Sequence, residues 1–143
     1  MKLLPVDATN AEILTACRAV VDLVAEGRFA EAVESLYVPD WYVEEQRWTP
    51  ESLQTYVGNY GSWDAWPDGK TWRITSIATA QTPADFPNFK PRADLVRHEY
   101  DRRAGLVELD LPLNGVWSDL MAHFKFEPLE DGTGLSLYDM YVP

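Results

Sequence analysis

Between Gly58 and Asp68 the chain reads G-N-Y-G-S-W-D-A-W-P-D, interleaving Tyr60, Trp63 and Trp66 with Asp64 and Asp68. Aromatic faces attract cations and carboxylates accept charge-assisted hydrogen bonds, so exposed rings beside acids suit capture of an Arg or Lys side chain. The wider stretch 40–68 adds Trp41, Tyr42, Trp48 and Tyr56, and sets six acids against one base, Arg47. Some of these rings are expected to close the core between helices and sheet. The Gly58–Asp68 loop is harder to bury, because irregular backbone needs water.

A second group lies in the last third. Leu106 to Leu113 and Val116 to Pro128 are strand-like runs joined by Asn114-Gly115, and Leu135 to Val142 follows Asp131-Gly132-Thr133-Gly134. Asn-Gly between apolar runs predicts a two-residue hairpin turn, since both central residues need positive φ. That turn pairs Leu113 with Val116 and, extended without interruption, Leu109 with Leu120. A three-residue loop at Asp131–Thr133 would pair Phe126 with Tyr138 and Phe124 with Met140. One face is then apolar throughout. The other pairs Pro112 with Trp117, Asp110 with Asp119, and His123 with Tyr141. Like charges directly opposite destabilise a sheet, so Asp110 and Asp119 need water, a cationic partner or a metal. Trp117 beside them makes an aromatic-acidic surface suited to an interface.

For catalysis the inventory is thin. His98 and Tyr100 fall on one side of a predicted strand at 94–101, where they would line a pocket and could move a proton beside a carbonyl. A satisfied structural histidine is the plainer reading. Cys17 lies on an apolar helical stripe and reads as a small core hydrophobe. One cysteine and two histidines leave little for a transition metal, and no nucleotide-binding or hydrolase motif is present. No cofactor is expected.

These residues must be positioned by one domain spanning residues 1–143, a length that buries a core without staples. Thr9-Asn10-Ala11-Glu12 is a capping box opening a helix whose Ile13, Cys17, Val20, Val21 and Val24 share a stripe, stopped by Gly27. A second helix is predicted over Phe29–Tyr37. A third opens at Thr49-Pro50 and ends by Gly58 or Gly61. Trp72–Thr79 is expected to be the first strand, and the Pro-rich residues 81–93 a loop. Helices first and strands after them make an α+β domain, with N-terminal helices on an antiparallel sheet and a C-terminal meander.

Net charge is −11, and residues 1–68 carry 12 acids against 4 bases. Such a field disfavours nucleic acid and anionic membranes and speeds encounter with a basic partner; solubility alone is the plain alternative. No run is long enough to span a bilayer, and the start lacks the pattern of a signal peptide, so a cytoplasmic location is expected.

The order of helices and strands resembles the cone-shaped nuclear transport factor 2-like (cystatin-like) superfamily. The strands W-S-D-L-M-A-H-F-K-F and L-Y-D-M-Y-V resemble an uncharacterised group of small bacterial proteins with a Trp-Ser-Asp-Leu strand, with Met121 and Tyr141 where Thr and His are expected. The resemblance implies N-terminal helices packed into a strongly curved sheet. Some members of the superfamily are immunity proteins to bacterial toxins; others are isomerases, dehydratases or cyclases. Three functions follow as expectations. The first is an acidic protein-binding domain, most concretely an immunity protein that neutralises a basic toxin, binding through Tyr60, Trp63, Asp64, Trp66, Asp68, Asp110, Trp117 and Asp119. The second is a small-molecule site inside the cone lined by His98 and Tyr100. The third is a homodimeric scaffold joined through the outer sheet face.

Overall fold

The computed structural model describes residues 1–143, apart from the side chain of Gln46. Three helices, α1 (Asn10–Ala25), α2 (Phe29–Ser35) and α3 (Pro50–Gly58), precede four strands, β1 (Ala93–Arg97), β2 (Gly105–Leu113), β3 (Val116–Leu129) and β4 (Gly132–Tyr141). The strands form one curved antiparallel sheet in sequence order. The α+β architecture is therefore as the residue pattern predicts.

Helix boundaries follow the caps. Thr9 and Glu12 close a reciprocal capping box at α1, and Thr49 with Ser52 does the same at α3, where Pro50 takes the first helical position. The α1 stripe, Ile13, Cys17, Val20, Val21 and Val24, is buried against the sheet's inner face, where Val107, Leu109, Leu111, Leu120, Phe124 and Phe126 meet it. Cys17 is fully enclosed, and burial pushes its thiol pKa up to about 12, as befits an inert core residue.

The hairpin turn sits at Asn114-Gly115 with φ of 53° and 86°, pairing Leu113 with Val116. Beyond it the register departs from the uninterrupted ladder. Ser118, Asp119 and Leu120 oppose the single residue Leu111, so Leu109 faces Ala122 and Asp110 faces Met121. The cause is Pro112, which has no N–H to give the ladder. Ser118 compensates: its hydroxyl donates to Leu111 O at 2.7 Å and accepts from Leu120 N at 3.2 Å. The second turn is shorter than expected, with Leu129 opposite Gly132, and Phe126 faces Leu135 rather than Tyr138. A bulge at Tyr138 then restores phase, keeping Leu137 and Met140 inside while Asp139 lies opposite His123.

Two other expectations are corrected. Residues 72–79 form no strand; they cross the hairpin tip through an isolated bridge between Ile74 and Leu113, and end in a 3-10 turn at Ile77–Thr79. The tip offers too short a ladder, because Pro112 contributes only its carbonyl, which accepts from Thr75 N at 3.1 Å. β1 stops at Arg97: His98 N gives the last in-register bond to Ala104 O at 2.9 Å, Ala104 N then turns to Asp101 O at 3.0 Å, and Asp101 caps the N–H of Arg103.

The β4 edge of the sheet is covered by segments from earlier in the chain. Along β4 the outward groups are taken in order by Leu4, which exchanges two hydrogen bonds with Thr133, by Tyr37 N on Leu135 O at 2.7 Å, and by the Trp48 indole on Leu137 O at 2.9 Å. Among the described residues no helix is long and apolar enough to cross a membrane.

Candidate functional site

The C-terminus of α3 aims the first candidate residue. Gly61 N donates to Tyr56 O at 2.8 Å and Tyr60 N to Val57 O at 3.0 Å, the pair of bonds that defines a Schellman cap. The same motif ends α1, where Arg28 N reaches Leu23 O and Gly27 N reaches Val24 O. In α1 the left-handed position is filled by Gly27, at φ 76°. In α3 it is filled by Tyr60, at φ 59°. A bulky residue there is uncommon and strained by about 1 kcal/mol or more, so its side chain must return something glycine cannot. The Tyr60 hydroxyl donates to Asp119, and its ring packs edge-on to Trp72 at 5.0 Å. Burial, followed by the Asp119 carboxylate, pushes the Tyr60 pKa up to about 12, so it stays a donor.

The Asp119 carboxylate comes from the β3 bulge, so the Pro112 irregularity that shifts the register also presents this acid to α3. Together Tyr60, Trp72, Trp117 and Asp119 line a groove of about 770 Å³ with Asp85, Phe86 and Phe89. Lys70 stands at the rim with its ammonium 5.2 Å from the Trp72 ring centroid. Trp66 backs the groove, stacked edge-on to Trp72 at 5.3 Å and donating to Asn59 O at 2.9 Å.

Of the residues singled out in the sequence, Tyr60, Trp117 and Asp119 therefore converge, with Trp66 behind them. Trp63 belongs elsewhere, against Tyr56 and Trp48 at 4.5 and 5.9 Å. Asp64 and Asp68 shape the loop: Asp64 N donates to Ser62, and Asp68 accepts from Lys70 N. Asp110 does not pair with Asp119 across the strands. Its carboxylate accepts from Arg92 N at 2.6 Å; burial raises its pKa, Arg92 opposes that, and Asp119 and Asp94 add to it. The two acids sense one another without being direct neighbours.

His98 and Tyr100 do not line a cavity between sheet and helices. They sit in the β1–β2 connection with rings stacked at 5.0 Å, and Tyr100 is 85% exposed. β1 ends before them, so no strand carries them inward. Sequence reasoning missed Trp72, Asp85, Phe86 and Phe89. The available signal was Phe86 and Phe89 three residues apart in a Pro-bounded loop, where apolar rings need a partner surface. No group of three or more His, Cys, Asp or Glu among the described residues is arranged to hold a metal ion.

Compared with protein-family models, with curated proteins and with solved structures, the chain matches none.

Proposed function

We propose that the protein binds a basic protein partner, and that the groove between α3, the β3 bulge and residues 83–89 receives a cationic side chain of that partner. The observation that carries this reading is Tyr60, held in a left-handed position normally given to glycine so that its hydroxyl meets Asp119 inside an aromatic groove. Lys70 over Trp72 illustrates within the chain itself the contact a partner's Lys or Arg would make. A net charge of −11 supports the sign of the partner and favours rapid encounter. In its most concrete form, supported by the resemblance of the sequence, this is an immunity protein that covers the active site of a basic toxin.

Binding kinetics against the protein encoded beside this gene test the reading. Association should slow as the Debye length contracts from about 30 Å at 0.01 M salt to about 10 Å at 0.1 M. Charge reversal at Asp64 or Asp68 should lower the on-rate. Trp117→Ala and Asp119→Asn should raise the off-rate, each costing about 2 kcal/mol if the groove is the anchor. Unchanged off-rates in both variants would defeat the assignment of the groove.

A further inference from the structure

Among the described residues two buried side-chain atoms have no hydrogen-bond partner, Tyr42 Oη and His123 Nε2. The first is the more telling. Tyr42 is 7% exposed, and leaving a phenol unpaired costs more than burying a phenylalanine of the same shape. The Ser136 hydroxyl, which acts on the phenol, is itself given to Lys125 O at 3.4 Å. Tyr42 borders a hollow of about 260 Å³ between β4 and the segment leading into α3, which shares no lining residue with the groove. Ligand pockets for larger molecules occupy about 300–1,000 Å³, so this one suits a single side-chain head group.

Its walls combine three elements. Trp48, Tyr56 and Trp63 form an aromatic corner with centroids 4.5 to 5.9 Å apart, and Trp63 is 58% exposed. Asp139 lies at the β4 bulge. One of its oxygens, Oδ1, accepts both from Tyr56 Oη at 3.2 Å and from Met140 N at 2.8 Å, while Oδ2 accepts no hydrogen bond from the described residues. Glu45 and Arg47 stand on the rim.

We propose that this hollow is a second binding site, one that takes a guanidinium group. A planar cation with several N–H donors satisfies all three features at once. It can donate to Asp139 Oδ2 while its face lies on the indoles, and a shift of the Tyr42 ring, whose oxygen is enclosed in the free protein, would bring that oxygen to it as well, whereas an ammonium offers no face to stack. Glu45 adds favourable charge. Arg47 opposes it, and sets a limit on affinity that its removal should lift. The site stands apart from the groove, so failure of partner binding through Asp119 leaves it untouched.

The test uses the full chain and two probes carrying the same head group: N-acetyl-arginine amide, and a short peptide with one central Arg. The lysine analogues of each are the controls. The indole N–H signals of Trp48 and Trp63 are the readout. Both signals should shift with the arginine probes at least about tenfold more tightly than with lysine. Binding of the free amide as tightly as the peptide marks a small guanidinium compound as the occupant; tighter binding of the peptide marks a protein side chain. Asp139→Asn should weaken either by about tenfold or more, and Arg47→Ala should tighten it. Tyr42→Phe gives the sharper discrimination, because it should raise the melting temperature yet weaken arginine binding, an outcome a purely structural tyrosine does not produce. Absence of any shift at Trp48 and Trp63 at millimolar arginine probe, or undiminished binding in Tyr42→Phe, overturns the proposal.

Discussion

Tyr60 and Asp119 meet across 59 residues of sequence, the phenol donating to the carboxylate from the end of α3 to the bulge of β3. The contact joins two irregularities of the fold, a tyrosine at a glycine position and a strand broken by Pro112. Tyr60→Gly removes the backbone strain and the ring together, so its net effect on stability should be small, within about 1 kcal/mol either way. Tyr60→Ala keeps the strain, loses the ring, and should cost clearly more. Comparing the two by chemical denaturation separates strain from contact. Equal losses would mean that the left-handed backbone at residue 60 stores nothing.

Gly105 offers a second stability test. A Cβ there would stand 2.1 Å from Val96 O and 2.7 Å from Phe126 Cζ, one of them backbone that cannot yield. Gly105→Ala should therefore destabilise by about 1–3 kcal/mol by forcing β1 away from β2 and displacing a core ring. Amide exchange should show the loss first in residues 93–97.

His123 should set the acid limb of the stability curve. Burial holds its pKa below the ordinary value of 6.5. Glu108 on β2 and Asp139 on β4 pull it up, and Lys125 on β3 pushes it down. The unfolded chain thus takes up its proton first as pH falls. Stability from this residue is present above about pH 6.5 and declines below it. Replacing His123 with Phe should flatten that decline in melting temperature between pH 7 and 5.

The alkaline limb should depend on Tyr56 and Tyr60. Both pKa values are pushed from about 10 up to about 12, by burial first and then by Asp139 and Asp119 respectively. Raised values mean that the unfolded chain ionises first, so stability is lost as pH rises from 10 toward 12. Tyr56→Phe and Tyr60→Phe should each shallow the slope, and thermal scans across that range will show it.

The helices were legible because caps are local. Thr9 with Glu12, Gly27, and Thr49 with Pro50 act within one turn of chain, so sequence spacing contains the answer. The Asn114-Gly115 turn was legible for the same reason. What escaped was the length of the second turn, where two residues close a loop that the sequence suggests needs three, and above all the non-local register. Extrapolating the hairpin register put Asp110 opposite Asp119, and the error lay in ignoring that Pro112 must break the ladder and that Ser118 can mend it. The groove was half legible. Tyr60, Trp117 and Asp119 stood out by type, but Trp72 carried a β-like sequence and the Phe86–Phe89 loop showed no period at all. A groove built from loop meeting bulge leaves no repeat to read.

The sealing of β4 bears on how the chain folds during synthesis. Leu4, Tyr37 and Trp48 emerge from the ribosome well before Thr133, Leu135 and Leu137, to which they are bonded; Trp48 and Leu137 alone are 89 residues apart. The apolar stripe of α1 must likewise wait for β2 and β3 before it has a surface to cover it. The N-terminal third is therefore made first and finished last. Such long-range closure slows folding and leaves the nascent helices as clients for a chaperone until the last hairpin has left the exit tunnel.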